Sequence, residues 1–220
     1  MNRILSNIKT TSPHGVRVVF TLLLLMLLSE NLQAQKENIH FGVRGGIGMS
    51  TFRGIENNGL RLGVTLGAYG QYQLRANSGL ATELYFSVNG QQSEKWTENE
   101  DGKVKVYSKY SMRYFNLPVL YQYYFTDILG IEAGLNFCYC VTGSLQTKIG
   151  NGSWQSQDFS SADYNSFDMG LILGIYTDNL IPHDNFFVSL RVYYGFLDVL
   201  KDAGSNKNLS VQASVGYMLF

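Results

Sequence analysis

Beyond residue 38 the chain alternates hydrophobic and polar side chains with a period of two. Residues 39–52 place Ile39, Phe41, Val43, Ile47 and Met49 on one side and His40, Arg44 and Ser50 on the other. Residues 60–74 set Leu60, Leu62, Val64, Leu66 and Ala68 against Arg61, Thr65, Tyr69, Gln71 and Gln73. That period belongs to an extended chain whose two faces meet different surroundings. It recurs in residues 80–91, 130–146, 166–176, 186–197 and 208–220. In residues 104–125 the phase changes between Tyr110 and Phe115, which predicts a β-bulge. Eight strands are thus predicted, each long enough for the roughly 9–11 residues that cross a bilayer at a tilt.

The predicted connections fall into two classes. Residues 75–79, 126–129 and 179–185 are short, whereas 53–59, 95–103, 148–164 and 198–207 are longer and richer in Asn, Gly, Ser and charge. Short and long alternate, as periplasmic turns and external loops do in a membrane barrel. In hydrocarbon an unpaired backbone N–H or C=O costs several kcal/mol, so a sheet can span it only without edges. The expected fold is therefore all-β, an eight-stranded antiparallel up-and-down transmembrane β-barrel whose last strand pairs with its first. The apolar ending, with Leu209, Val211, Ala213, Val215, Tyr217 and Leu219 on one face, is then the closing seam.

Composition agrees with strands between two solvents. Charged residues make up 15% of the chain, against the roughly 25% of an average soluble domain, while aromatics reach 14% and Gly numbers 23. A mean hydropathy of -0.06 is too low for a bundle of membrane helices. Residues 1–34 are expected to be a cleaved signal peptide: Arg3, Lys9, His14 and Arg17 precede the apolar run at 18–28, and Ala34 offers a small residue for cleavage. The run is too short for a membrane helix, which needs about 20 residues. The remaining domain, 35–220, holds 14 basic and 16 acidic groups, and this balance argues against a nucleic-acid partner.

The stretches YFNLPVLYQYYF (114–125), GIEAGLNFCYCVTG (130–143), FDMGLILG (167–174), SLRVYYGFLDV (189–199) and the closing SVGYMLF together resemble the outer-membrane β-barrel family of Bacteroidota known as porin-like or PorT-like. The resemblance covers residues 39–220. It implies a cell outer-membrane location, with outer-membrane lipid and the barrel assembly machinery as partners; a surface or envelope protein partner is a separate expectation that the resemblance does not supply. Leu135 departs from the Pro that often follows Glu-Ala-Gly in that family. The ending GYMLF is one residue longer than the usual Gly-Tyr-x-Phe, so simple alternation turns Phe220 inward. Tyr217, Leu219 and Phe220 are the expected C-terminal assembly signal, with either a terminal bulge or the first two supplying its apolar face.

Six inward positions are charged. Arg44, Glu83, Glu132 and Arg191 lie a few residues from the periplasmic strand ends, and Arg61 and Asp168 lie near the outer ends. Opposite signs at similar depth predict two tiers of ion pairs across a lumen only wide enough for side chains to fill. The expected outcome is a plugged barrel acting in envelope structure, surface interaction or as an accessory to secretion or uptake. The alternatives are a narrow porin-like channel for small solutes, a membrane-barrel enzyme and an exported soluble barrel with an apolar interior. Enzymes of this shape place a His constellation at the external rim, but His40 and His183 both fall at the periplasmic end. No catalytic residue, cofactor or metal is therefore expected. Cys138 and Cys140 share one strand face without a third ligand and read as lumen filler. The glycines of GVRGGIG (42–48) lie on an alternating strand with no helix after it, which excludes a phosphate loop. In the long loop 148–164, Trp154 and Phe159 are the expected external contacts.

Overall fold

The computed structural model describes residues 38–54, 59–99, 102–126, 128–178, 185–201 and 204–219. The expected signal peptide, His183 and Phe220 lie outside the described residues. Nine strands follow in chain order: β1 (Ile39–Arg53), β2 (Gly59–Arg75), β3 (Ser78–Asn99), β4 (Gly102–Tyr124), β5 (Leu129–Ile149), β6 (Gln155–Asp158), β7 (Phe167–Asp178), β8 (Phe186–Asp198) and β9 (Lys207–Met218). Eight of them close a ring in the order β1-β2-β3-β4-β5-β7-β8-β9, and β6 adds only to the outer part of β5. The seam is the antiparallel pair β1–β9, from Gly42↔Met218 to Arg53↔Lys207. With that pair made, the eight staves leave no open edge inside a membrane.

Burial in this sheet is inverted relative to a water-soluble protein. Leu66, Ile47 and Leu84 are 68%, 64% and 58% exposed, while Arg44, Glu83, Glu132 and Arg191 are each only 2% exposed. The apolar face is the outer wall, and the polar face looks into the lumen. Phe41, Tyr121, Tyr123, Phe186 and Tyr217 are exposed on this wall near the end at which β1 starts and β9 finishes, in the position of an interfacial aromatic girdle. At that end hydrogen bonds lie beside the connections that follow β2 and β4. Asn77 accepts from the Tyr124 N–H at 3.0 Å, and the Thr126 hydroxyl accepts from Ile128 and Leu129 at 3.3 and 3.0 Å.

At the opposite end β3, β4 and β5 run on for 22, 23 and 21 residues, well past what a bilayer requires. The expected loop 95–103 is instead the tip of a long hairpin, paired from Lys95↔Val106 to Asn99↔Gly102. Outside the membrane both faces of the ladder meet water, so the hydrophobic contrast disappears while backbone pairing continues. Likewise the expected loop 148–164 contains β6, held to β5 from Ser144↔Asp158 to Thr147↔Gln155.

The bulge expected between Tyr110 and Phe115 is not on β4 but on the strand paired with it, β5. Arg113 faces Thr142 and Tyr114 faces Cys140, so the additional residue is Val141 on β5. β4 itself keeps one phase, with an unbroken register against β3 and with Met112, Tyr114 and Asn116 all buried on one face. A second irregularity was not foreseen. The β2–β3 register slips between Leu60↔Gln91 and Thr65↔Ser87. There the Ser50 hydroxyl, from β1, accepts from the Gly90 N–H at 2.7 Å and donates to the Gly90 carbonyl at 2.9 Å.

Candidate functional site

The inner half of the lumen is filled by charge. Arg44 on β1 donates from Nη1 to both Glu83 oxygens, at 2.8 and 2.7 Å, and reaches Ser189 at 3.4 Å and Ser214. Arg191 on β8 also reaches Glu83, at 2.7 Å. Its Nε donates to Glu132 Oε1 and its Nη2 to Glu132 Oε2 at 2.9 Å. Gln122 adds a bond to Glu132 at 3.0 Å and meets the Tyr69 hydroxyl at 3.1 Å. Two arginines and two glutamates thus form one neutral cluster. Each ion alone would carry a desolvation cost of several kcal/mol in so narrow a space, which only multiple charge-assisted bonds offset.

Small residues make room for this cluster. A methyl at Gly174 would stand 2.9 Å from Arg191 Cγ and 3.0 Å from Glu132 Oε1, and one at Gly216 would overlap the Phe187 ring. Phe187 in turn lies against Tyr69, with ring centroids 4.7 Å apart. Gly46 faces the Ser214 Cβ, and a methyl there would come within 2.6 Å of it.

The expected outer tier is not an ion pair. Asp168 accepts from the Tyr193 hydroxyl at 2.7 Å and the Leu197 N–H at 3.1 Å. Arg61 instead donates to the Tyr110 carbonyl at 2.5 Å and to the Ser111 hydroxyl. The β2–β3 slip is the physical reason: it sets Arg61 alongside Gly90, whose absent side chain leaves a path over the sheet to β4. Alternation alone cannot reveal a slip of one residue, which exchanges the two faces.

An aromatic layer closes the outer half. Phe52, Met112, Tyr114, Tyr164, Val199 and Leu200 pack together with Cys138 and Cys140, both buried free thiols. Phe159, expected as an external contact, belongs to this layer. Its N–H donates to the Gly143 carbonyl at 2.9 Å and its ring stacks on Tyr110 at 6.1 Å, so it caps the mouth. Burial of an apolar ring in a polar loop explains the difference. Trp154 stays 43% exposed, with Lys109 Nζ 4.5 Å from its ring centre. Tyr217 and Leu219 face outward, and the Leu219 N–H donates to the Phe41 carbonyl at 2.7 Å. At the rim, the Asn206 N–H and Lys207 beside Asp198 hold its carboxyl below the usual carboxylate range.

Sequence reasoning missed Gln122, Tyr193, Ser189 and Ser214. Each occupies an inward phase of its strand, and that was the available signal.

The family model described as "Outer membrane protein beta-barrel domain" matches residues 33–201. Among solved structures, Ail, the attachment invasion locus protein of Yersinia pestis, is 14% identical; the match covers 83% of this chain and 99% of Ail, with a TM-score of 0.45. Neisserial surface protein A is 10% identical over 80% of this chain and 96% of its own, with a TM-score of 0.48. OprG from Pseudomonas aeruginosa is 14% identical over 83% and 96%, with a TM-score of 0.39. No curated protein sequence matches this chain.

Proposed function

The chain belongs to the outer membrane protein beta-barrel domain family and resides in the outer membrane, and on that premise we propose that it works there as a closed barrel. The lumen passes no solute; the function lies in envelope structure or surface interaction, through the β3–β4 hairpin and β6, or in assisting a secretion or uptake system. One observation carries this reading: the Arg44–Glu83–Arg191–Glu132 cluster ties together β1, β3, β5 and β8 around the inner lumen. An aromatic layer lies above it, so an ion would meet two successive barriers. The role is non-enzymatic on this reading, since the buried ions neutralise one another. The finer kinship with the PorT-like barrels of Bacteroidota is supported by the stretches at 114–125, 130–143 and 189–199. Insertion by the barrel assembly machinery is supported by the outward Tyr217 and Leu219.

Conductance in planar bilayers tests the proposal. The folded protein is expected to give no stable current steps. Steady channels of nanosiemens size would establish the porin-like alternative instead.

A further inference from the structure

On the outer face of β4, the side away from Tyr110 and Met112, three kinds of surface follow one another. In the wall, exposed Phe115 meets Phe86 edge to face, with ring centroids 5.8 Å apart. Next comes a pair of cations. Arg113 is exposed, and Arg61 lies over Gly90 to reach Ser111, which stands two residues from Arg113 on the same face of β4. Farther out, a cleft of about 620 Å³ is lined by Gly59, Gln92, Glu94, Tyr107, Lys109 and Trp154. Phe115 to Lys109 spans six residues of extended strand, roughly 20 Å.

The charges on this face do not cancel. Glu94 and Glu98 are engaged by Lys105 at 2.5 Å and Lys103 at 3.7 Å. Among the described residues no carboxylate lies within ion-pair distance of Arg61, Arg113, Lys109 or Lys148, the last sharing the register of Tyr107. Two cations on one face, neither with a carboxylate partner among the described residues, suit an anion with several oxygens, which guanidinium groups bind through paired N–H bonds. The cleft above offers what a sugar ring needs: an exposed indole for its apolar face, with an amide, a phenol and an ammonium at the edges. The apolar wall below accepts acyl chains.

We propose that this face is a docking site for a phosphorylated glycolipid of the outer leaflet, its phosphate between Arg61 and Arg113, its sugar in the Trp154 cleft and its acyl chains along Phe86 and Phe115. The order of apolar, cationic and sugar-sized surfaces matches the order of parts in such a lipid, and the charge is complementary. The site is separate from the lumen and does not depend on its being closed.

The test uses the full folded protein in phosphatidylcholine nanodiscs doped with monophosphoryl lipid A, its dephosphorylated form, or phosphatidylglycerol. Retention of each lipid is read by native mass spectrometry. Wild type is expected to retain monophosphoryl lipid A over the other two lipids. Arg61→Gln/Arg113→Gln is expected to retain it about tenfold less, the scale of a lost charge-assisted contact. Only variants with wild-type heat-modifiable gel migration are scored. Trp154→Ala, outside the membrane wall, supplies a second comparison and is expected to lower retention severalfold. Equal retention by both variants, equal retention of phosphatidylglycerol, or stripping of the lipid by millimolar inorganic phosphate would overturn the proposal.

Discussion

Arg191 reaches Glu83 from the opposite stave of the barrel, with 2.7 Å between guanidinium nitrogen and carboxylate oxygen. In the ring order, β3 and β8 are separated by the same number of strands in either direction. Their contact therefore spans the full width of the lumen. Both groups are buried, and each finds its other partner two staves away, Arg44 on β1 for Glu83 and Glu132 on β5 for Arg191.

Glu83→Gln removes the shared charge and leaves two arginines with one carboxylate. A loss of about 3–5 kcal/mol in stability is expected, read as a lower urea midpoint for loss of the heat-modifiable form. Arg44→Met/Glu83→Met removes an ion pair and leaves Arg191–Glu132 neutral, so it should cost clearly less than Glu83→Gln. If the double variant is the weaker one, the ions are not acting as one cluster.

Gly216 and Phe187 form a size-matched pair. Gly216→Ala forces a methyl into the Phe187 ring and is expected to destabilise by about 1–3 kcal/mol. Adding Phe187→Leu should recover most of that loss. Refolding yields in detergent micelles, compared across the single and double variants, measure it.

The outer wall tolerates no charge at mid-depth. Leu171→Arg and Val64→Arg, both at exposed apolar positions, should each lose about 2–4 kcal/mol of folding free energy in lipid. Trp96→Arg, on the hairpin outside the membrane, should leave it unchanged. Equal insertion of all three would mean the apolar face does not meet lipid.

Much of this architecture could be read from alternation, because a wall between hydrocarbon and lumen imposes opposite demands on successive residues. Ile47 against Arg44, and Leu84 against Glu83, state the two faces outright. Of the six charges expected to point inward, four meet in one cluster. It failed where the contrast of solvents ends or the register slips. Trp96, Thr97 and Glu98 pair as strand without any apolar period. Arg61 lies beyond a slip in β2 that alternation does not show. Phe159 sits in a loop whose composition does not tell a ring turned inward from one turned to water. Which arginine meets which glutamate depends on barrel shear, a property of the closed sheet and not of any one strand.

Asp198 gives the outer rim a pH dependence. Its carboxyl accepts from Asn206 at 2.9 Å and Lys207 at 3.3 Å, so its folded pKa is depressed. Its contribution is complete above the ordinary carboxylate pKa, about 3.9, and is lost as pH falls through the lower folded value. Pepsin cleavage between Val199 and Asn206 should therefore rise at the acid end of a titration. Asp198→Asn should already be sensitive at the upper end of pepsin's range, and identical profiles would remove Asp198 from this role.

Cys138 and Cys140 report directly on the closed lumen, since both thiols face it, buried between the ion cluster and the aromatic layer. A small, charged methanethiosulfonate is added to the folded protein in lipid vesicles, and incorporation is counted by mass spectrometry with a urea-unfolded control. Closure predicts no labelling in the folded state and labelling of both thiols after unfolding. Rapid labelling of either cysteine in the folded barrel would contradict it, because reagent and water would then have a path through the centre.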